Sequence, residues 1–140
     1  MKFSLKHLLA LLILGLSAGL ALAQTKVVYH LNEGLAQASR AIGNIRNHLT
    51  AEPGTKIVVV THGAGIDFLL DGAVNAQSQP FAGGIGELAG RGVEFRVCQN
   101  TLTQRNIAKD RVALEASIVP SGVAEVARLQ AKEGFVYLRP

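Results

Sequence analysis

A chain of 140 residues, 49% hydrophobic, with 15 glycines, 4 prolines and no tryptophan, has the size and composition of one compact α/β domain. Its formal charge of +4 does not point to nucleic acid, because no cluster of Lys and Arg interleaved with aromatics marks a basic groove. One cysteine, Cys98, excludes an internal disulfide framework.

The chain opens with a targeting pattern. Lys2 and Lys6 form a positive segment, the run LLALLILGLSAGL is apolar, and Ala21-Leu22-Ala23 fits a small-x-small cleavage site. This predicts a signal peptide over residues 1–23, cleaved after Ala23, and a periplasmic or secreted domain over residues 24–140. The apolar run, broken by Gly15, Ser17 and Gly19, is short for a spanning helix, so no stable membrane insertion is expected after cleavage. Without Lys2 and Lys6, 12 basic residues face 10 acidic ones, a formal charge of +2.

In the domain, Lys26–Leu31, Lys56–Thr61 and Phe135–Leu138 are continuous, β-branched apolar runs of strand length, the pattern of strands covered on both faces. Between the first two, Leu35, Ala38, Ile42, Ile45 and Leu49 recur at helical spacing, and EPGT supplies a turn, which makes a βαβ unit. GIDFLLDGAV reads as a short helix and NAQSQP as a loop, and FAGGIGELAGRG predicts a helix around Ile85–Ala89 that Gly90 and Gly92 end. VEFRVC alternates: Val93, Phe95 and Val97 face one way, while Glu94, Arg96 and Cys98 face the other. Asn100 or Thr101 is a candidate N-cap for a following helix. SIVP is a short strand, and Ser121 caps a last helix that shows Val123, Val126, Ala127 and Leu129 on one face until Gly134 stops it. The expectation is a three-layer α/β/α domain with a mostly parallel sheet of about five strands.

Ligands in such sheets bind at the carboxyl ends of the strands. Those ends carry His30, His62-Gly63, Cys98-Gln99-Asn100 and Pro120-Ser121-Gly122. Cys98 is therefore a candidate nucleophile, with Arg96 two residues back on its face and a helix start just after it, both favouring the thiolate. His62 is a candidate base or ligand near that thiol, against the plainer reading of a turn histidine. His30, His62 and Cys98 have no C-x-x-C or H-x-x-x-H spacing, so no metal is expected; Asp67 and Asp71 read as a solvated helix face. A dinucleotide fingerprint would need glycine where Phe68 stands, and there is no G-x-S-x-G elbow or P-loop, so no conventional hydrolase or dehydrogenase motif and no cofactor is expected.

VEFRVCQNTL, THGAG after a β-run, and the tail IVPSGVAEVARLQAKEGFVYLRP together resemble the DsrE/DsrF-like family of small sulfur-relay proteins over residues 26–140. In relatives of the TusD/DsrE type, the cysteine that accepts sulfur closes a strand and precedes a helix. Carried over by position, the resemblance implies that Cys98 accepts sulfur as a persulfide, that the protein forms a homo-oligomer, and that a sulfur donor or acceptor protein is its partner. His62, Gly63 and Asn100 resemble recurrent positions of the exported or stand-alone branch, and His30, Gly63 and Asn100 are the candidate ligand-binding set. The alternative is a small-ligand or metal-binding module of the same fold, using the rim of His30, His62 and Cys98 without sulfur transfer.

Overall fold

The computed structural model describes residues 23–140; residues 1–22, on which the export reading rests, lie outside the described residues. Five strands, β1 (Lys26–Leu31), β2 (Lys56–Thr61), β3 (Glu94–Cys98), β4 (Ala116–Val119) and β5 (Val136–Leu138), form one sheet in the order β4-β3-β2-β1-β5. Every pairing is parallel, so all five carboxyl ends reach the same edge. This is the expected α/β architecture, with β1 and β2 bounded as the apolar runs predict.

One face is covered by α1 (Leu35–Ala51), a 3-10 segment (Gly63–Leu69) and α2 (Phe81–Gly90), which bury Ile42, Ile45, Ile66, Phe68 and Leu88 against Val59, Phe95 and Val97. A six-residue helix, α3 (Gln99–Gln104), follows β3 directly. The region expected to hold one short helix after β2 is this 3-10 segment, and it begins immediately after His62. Gly65 sits where a Cβ would lie 2.2 Å from the Leu31 carbonyl oxygen, so only glycine lets the segment cross the end of β1.

The opposite face carries one helix, α4 (Gly122–Glu133). As expected, Ser121 caps it by accepting the Ala124 N–H at 3.3 Å, and Gly134 ends it in the left-handed conformation at φ 71°. Its inner face differs from the apolar stripe expected from sequence: Val126 and Leu129 are buried with Val28, Val58, Val60 and Phe135, but Val123 is 62% exposed and Ala127 is exposed. The reason is the strand beneath. β3 presents Glu94 and Arg96 to this face, so α4 turns Glu125 and Arg128 toward them. Arg96 donates to Glu94 (2.5 Å) and Glu125, Arg128 to Glu125 (2.8 Å) and Glu133 (2.5 Å), and Lys56 approaches Glu94 at 3.3 Å.

Arg128, and then Arg96, hold the Glu125 carboxyl down at about 2 against the opposing effect of burial. A carboxyl depressed on folding from 4.5 contributes stability that is fully present above that value and is lost as pH falls toward about 2. The difference corresponds to roughly 3 kcal/mol. Replacing Glu125 with Ala leaves Arg96 without one partner in a site where Glu125 is only 11% exposed. The variant should lose about 3 kcal/mol in urea denaturation at pH 7, and its gap from wild type should close as pH falls from 4.5 toward 2.

Candidate functional site

The carboxyl edge holds two adjoining centres. The first is the thiol. Cys98 ends β3 and is itself the N-cap residue of α3, which starts two residues earlier than an Asn100 cap and three earlier than a Thr101 cap would allow. Because strand passes into helix without a loop, the thiol lies over the first helical turn. Alternation does put Cys98 on the face of Glu94 and Arg96, but it is only 4% exposed, since the start of α4 packs over it.

Burial pushes the thiol up. The backbone N–H of Gly122, the N–H and hydroxyl of Thr101, and the N–H of Asn100 outweigh it, so the pKa lies below the ordinary cysteine value. The Thr101 hydroxyl is held in turn, accepting the Gly63 N–H at 2.9 Å, with Gly63 at φ 55°. Arg105 of the following turn donates to the Gly63 carbonyl (3.2 Å) and to Asp67 (2.6 Å), so Asp67 is an ion-pair partner and not a free solvated carboxylate.

The support expected from Arg96 is therefore corrected. Its guanidinium is engaged by Glu94 and Glu125, and the groups that favour the thiolate are amides and a hydroxyl. Gly63 and Asn100, expected as ligand-binding positions, take part through their backbone. Sequence reasoning missed Thr101 as more than a cap and Gly122 as more than part of a loop. The signals were a hydroxyl three residues after the cysteine and a glycine at the first position of the capped helix.

The second centre is aromatic. His30 and His62 bring their Nε2 atoms to 2.7 Å, with ring centroids 4.8 Å apart and planes 29° from parallel. Tyr137 of β5 places its hydroxyl 2.8 Å from His30 Nδ1. Burial lowers the pKa of both histidines, and His62 and Arg139 lower His30 further, so both rings are neutral at pH 7. Groups depressed on folding bind fewer protons than the unfolded chain, so acidification below about 6.5 works against this arrangement. His62 thus turns toward β1, away from the thiol. Gly122 packs against both centres: a Cβ there would lie 3.1 Å from His62 Cβ and 3.3 Å from Cys98 Cβ. Among the described residues no three of His, Cys, Asp and Glu converge on one point, and no helix is long and apolar enough to cross a membrane.

A family model described as the DsrE/DsrF-like family matches residues 22–139. Among solved structures, a protein of unknown function from Methanobacterium thermoautotrophicum is 30% identical, with a TM-score of 0.73 over 84% of this chain and 100% of that one. The ychN protein from E. coli is 12% identical with a TM-score of 0.66 at the same coverage, a likeness of fold. No curated protein matches the chain.

The thiol geometry generates a pH profile. Alkylation of folded protein by iodoacetamide should reach half its maximal rate at a pH below the ordinary value near 8.5. Thr101→Val removes one donor and should move the midpoint upward. A hydrogen bond to a charged group is worth roughly 1.5–3 kcal/mol, so alkylation near neutral pH should slow on the order of tenfold while circular dichroism stays unchanged.

Proposed function

The chain belongs to the DsrE/DsrF-like family, whose members are of sulfur-relay type, and on that premise we propose that it carries sulfur as a persulfide on Cys98. The observation that supports this reading is a single cysteine at a strand-to-helix junction whose thiolate is favoured by three backbone amides and a hydroxyl despite burial. In the loading step the Cys98 thiolate attacks the terminal sulfur of a donor persulfide, R–S–SH. A new S–S bond forms to Cys98, the donor's S–S bond breaks, and the donor leaves as its thiolate. Unloading is the same exchange with an acceptor thiolate attacking the terminal sulfur and Cys98 leaving. No oxidant or reductant is consumed in either direction. The amides that hold the thiolate also stabilise it as the leaving group, so one set of donors serves both steps.

Incubation with a low-molecular-weight persulfide should add the mass of one sulfur atom, removable by dithiothreitol and absent from Cys98→Ser. If folded wild-type protein gains no mass while urea-unfolded protein is modified, Cys98 is structural and the reading fails.

We propose also that the protein is an exported member of TusD/DsrE type that works as a homo-oligomer beside a donor or acceptor protein. The motivation is the N-terminal targeting pattern and the family. Native mass spectrometry of protein released from the periplasm should show more than one chain per particle, each beginning at Gln24. A full-length chain recovered from membranes, or a monomer at micromolar concentration, would overturn the corresponding part.

A further inference from the structure

We propose that the Nε2 atoms of His30 and His62 form a two-histidine binding site for a borderline divalent metal ion such as zinc, with Tyr137 orienting the His30 ring. This goes beyond sulfur carriage and does not rest on it.

The backbone dictates the meeting. β1 and β2 are parallel neighbours with His30 opposite Val60, and His62, two residues beyond Val60, points to the same side of the sheet. Both rings stand on the α4 face at the carboxyl edge, where the chain turns away and leaves them half-buried. Their nitrogens converge at 2.7 Å, which as it stands is a hydrogen bond between a ring bearing its proton on Nε2 and one with a free lone pair. A tetrahedral ion at 2.0–2.1 Å from each nitrogen needs them about 3.3 Å apart, so opening the contact by roughly half an ångström seats the ion. The shared proton moves to Nδ1 of its own ring, and both imidazoles bind in their neutral form. At pH values where both are already neutral, no proton is released.

Tyr137 supplies what ligating histidines ordinarily have, a partner on the other ring nitrogen that fixes tautomer and direction. With His30 Nδ1–H donating to the Tyr137 oxygen, the Nε2 lone pair is free to point at the ion. The nearest opposing charge, Arg139, is paired with Glu33 at 2.6 Å, which offsets its repulsion. Among the described residues no third side chain converges on the two nitrogens. The ion's remaining positions are therefore open to water or an incoming ligand. Among the described residues His30, His62 and Cys98 do not converge as one set of ligands, so the metal centre is separate from the thiol.

The test is titration with zinc ion at pH 7.5, in competition with a chromophoric chelator, on wild-type protein and on Cys98→Ser. Both should bind one zinc per chain with similar affinity. His30→Gln and His62→Gln should each weaken binding at least tenfold, and Tyr137→Phe, which keeps the ring and its packing, should weaken it by about 10- to 100-fold. Circular dichroism confirms that each variant is folded. Binding that disappears in Cys98→Ser but survives both histidine variants would place the ion on the thiol and overturn the proposal. Wild-type affinity no greater than that of His30→Gln would show an ordinary histidine hydrogen bond and overturn it equally.

Discussion

Gly122 governs the carboxyl edge of this sheet because three elements meet where its side chain would be. A Cβ there would lie 3.0 Å from the Thr61 carbonyl oxygen, 3.1 Å from His62 Cβ and 3.3 Å from Cys98 Cβ. Contacts at that range are tighter than ordinary van der Waals separation, so a larger residue requires the start of α4 or the ends of β2 and β3 to give by a few tenths of an ångström. With α4 seated this low, the Gly122 N–H favours the thiolate. The remainder of α4 is then fastened by Val126 and Leu129 at its centre and by the ion pairs of Glu125 and Arg128 along its flank. The charge network of Arg96, Glu125 and Arg128 thereby fixes the helix whose first amide favours the thiolate.

The sheet order explains why two centres share one edge without merging. Neighbouring strands are about 4.8 Å apart, so Cys98 on β3 and His30 on β1 stand roughly two strand spacings from each other. β2 lies between them, followed by His62. His62 turns toward His30, where a ring nitrogen is available, and Gly122 packs close to its Cβ. The 3-10 segment that begins at Gly63 then serves both faces: its first N–H holds Thr101 beneath the thiol, and Gly65 lets its backbone pass the end of β1.

Much of the fold was legible because it depends on local pattern. Two apolar runs mark β1 and β2 to the residue, the Leu35–Leu49 periodicity marks α1, and Ser121 and Gly134 bracket α4. The rim was legible too, since parallel strands put their carboxyl ends together whatever their order. What local pattern does not carry is the partner of a charge. Arg96 lies two residues from Cys98 on the same face, yet its strongest neighbours are Glu94 and Glu125, the latter 29 positions away in the chain. The same non-local pairing misdirects the reading of α4: Val123 and Ala127 are apolar but stand outside, because charged residues of β3 claim the inner positions. Alternation likewise assigns Cys98 to a polar face without revealing that a glycine from the far end of the chain closes over it.

That closure sets the chemical character of the thiol by two opposed effects. Removing Cys98 from water disfavours the anion, and in an apolar pocket it would leave an inert small side chain. Here the enclosing atoms are themselves polar: the N–H of Gly122, the same residue that buries the thiol, favours its anion, and α3 begins at the cysteine so that the N–H groups of Asn100 and Thr101 favour it as well. Burial and anion stabilisation therefore come from one packing event. For a lone cysteine the combination has a consequence that neither effect has alone. An exposed thiolate couples readily with other thiols and disulfides, and a thiol buried among hydrocarbon does not react, whereas a buried thiol whose anion is favoured by amides combines a lowered pKa with restricted access.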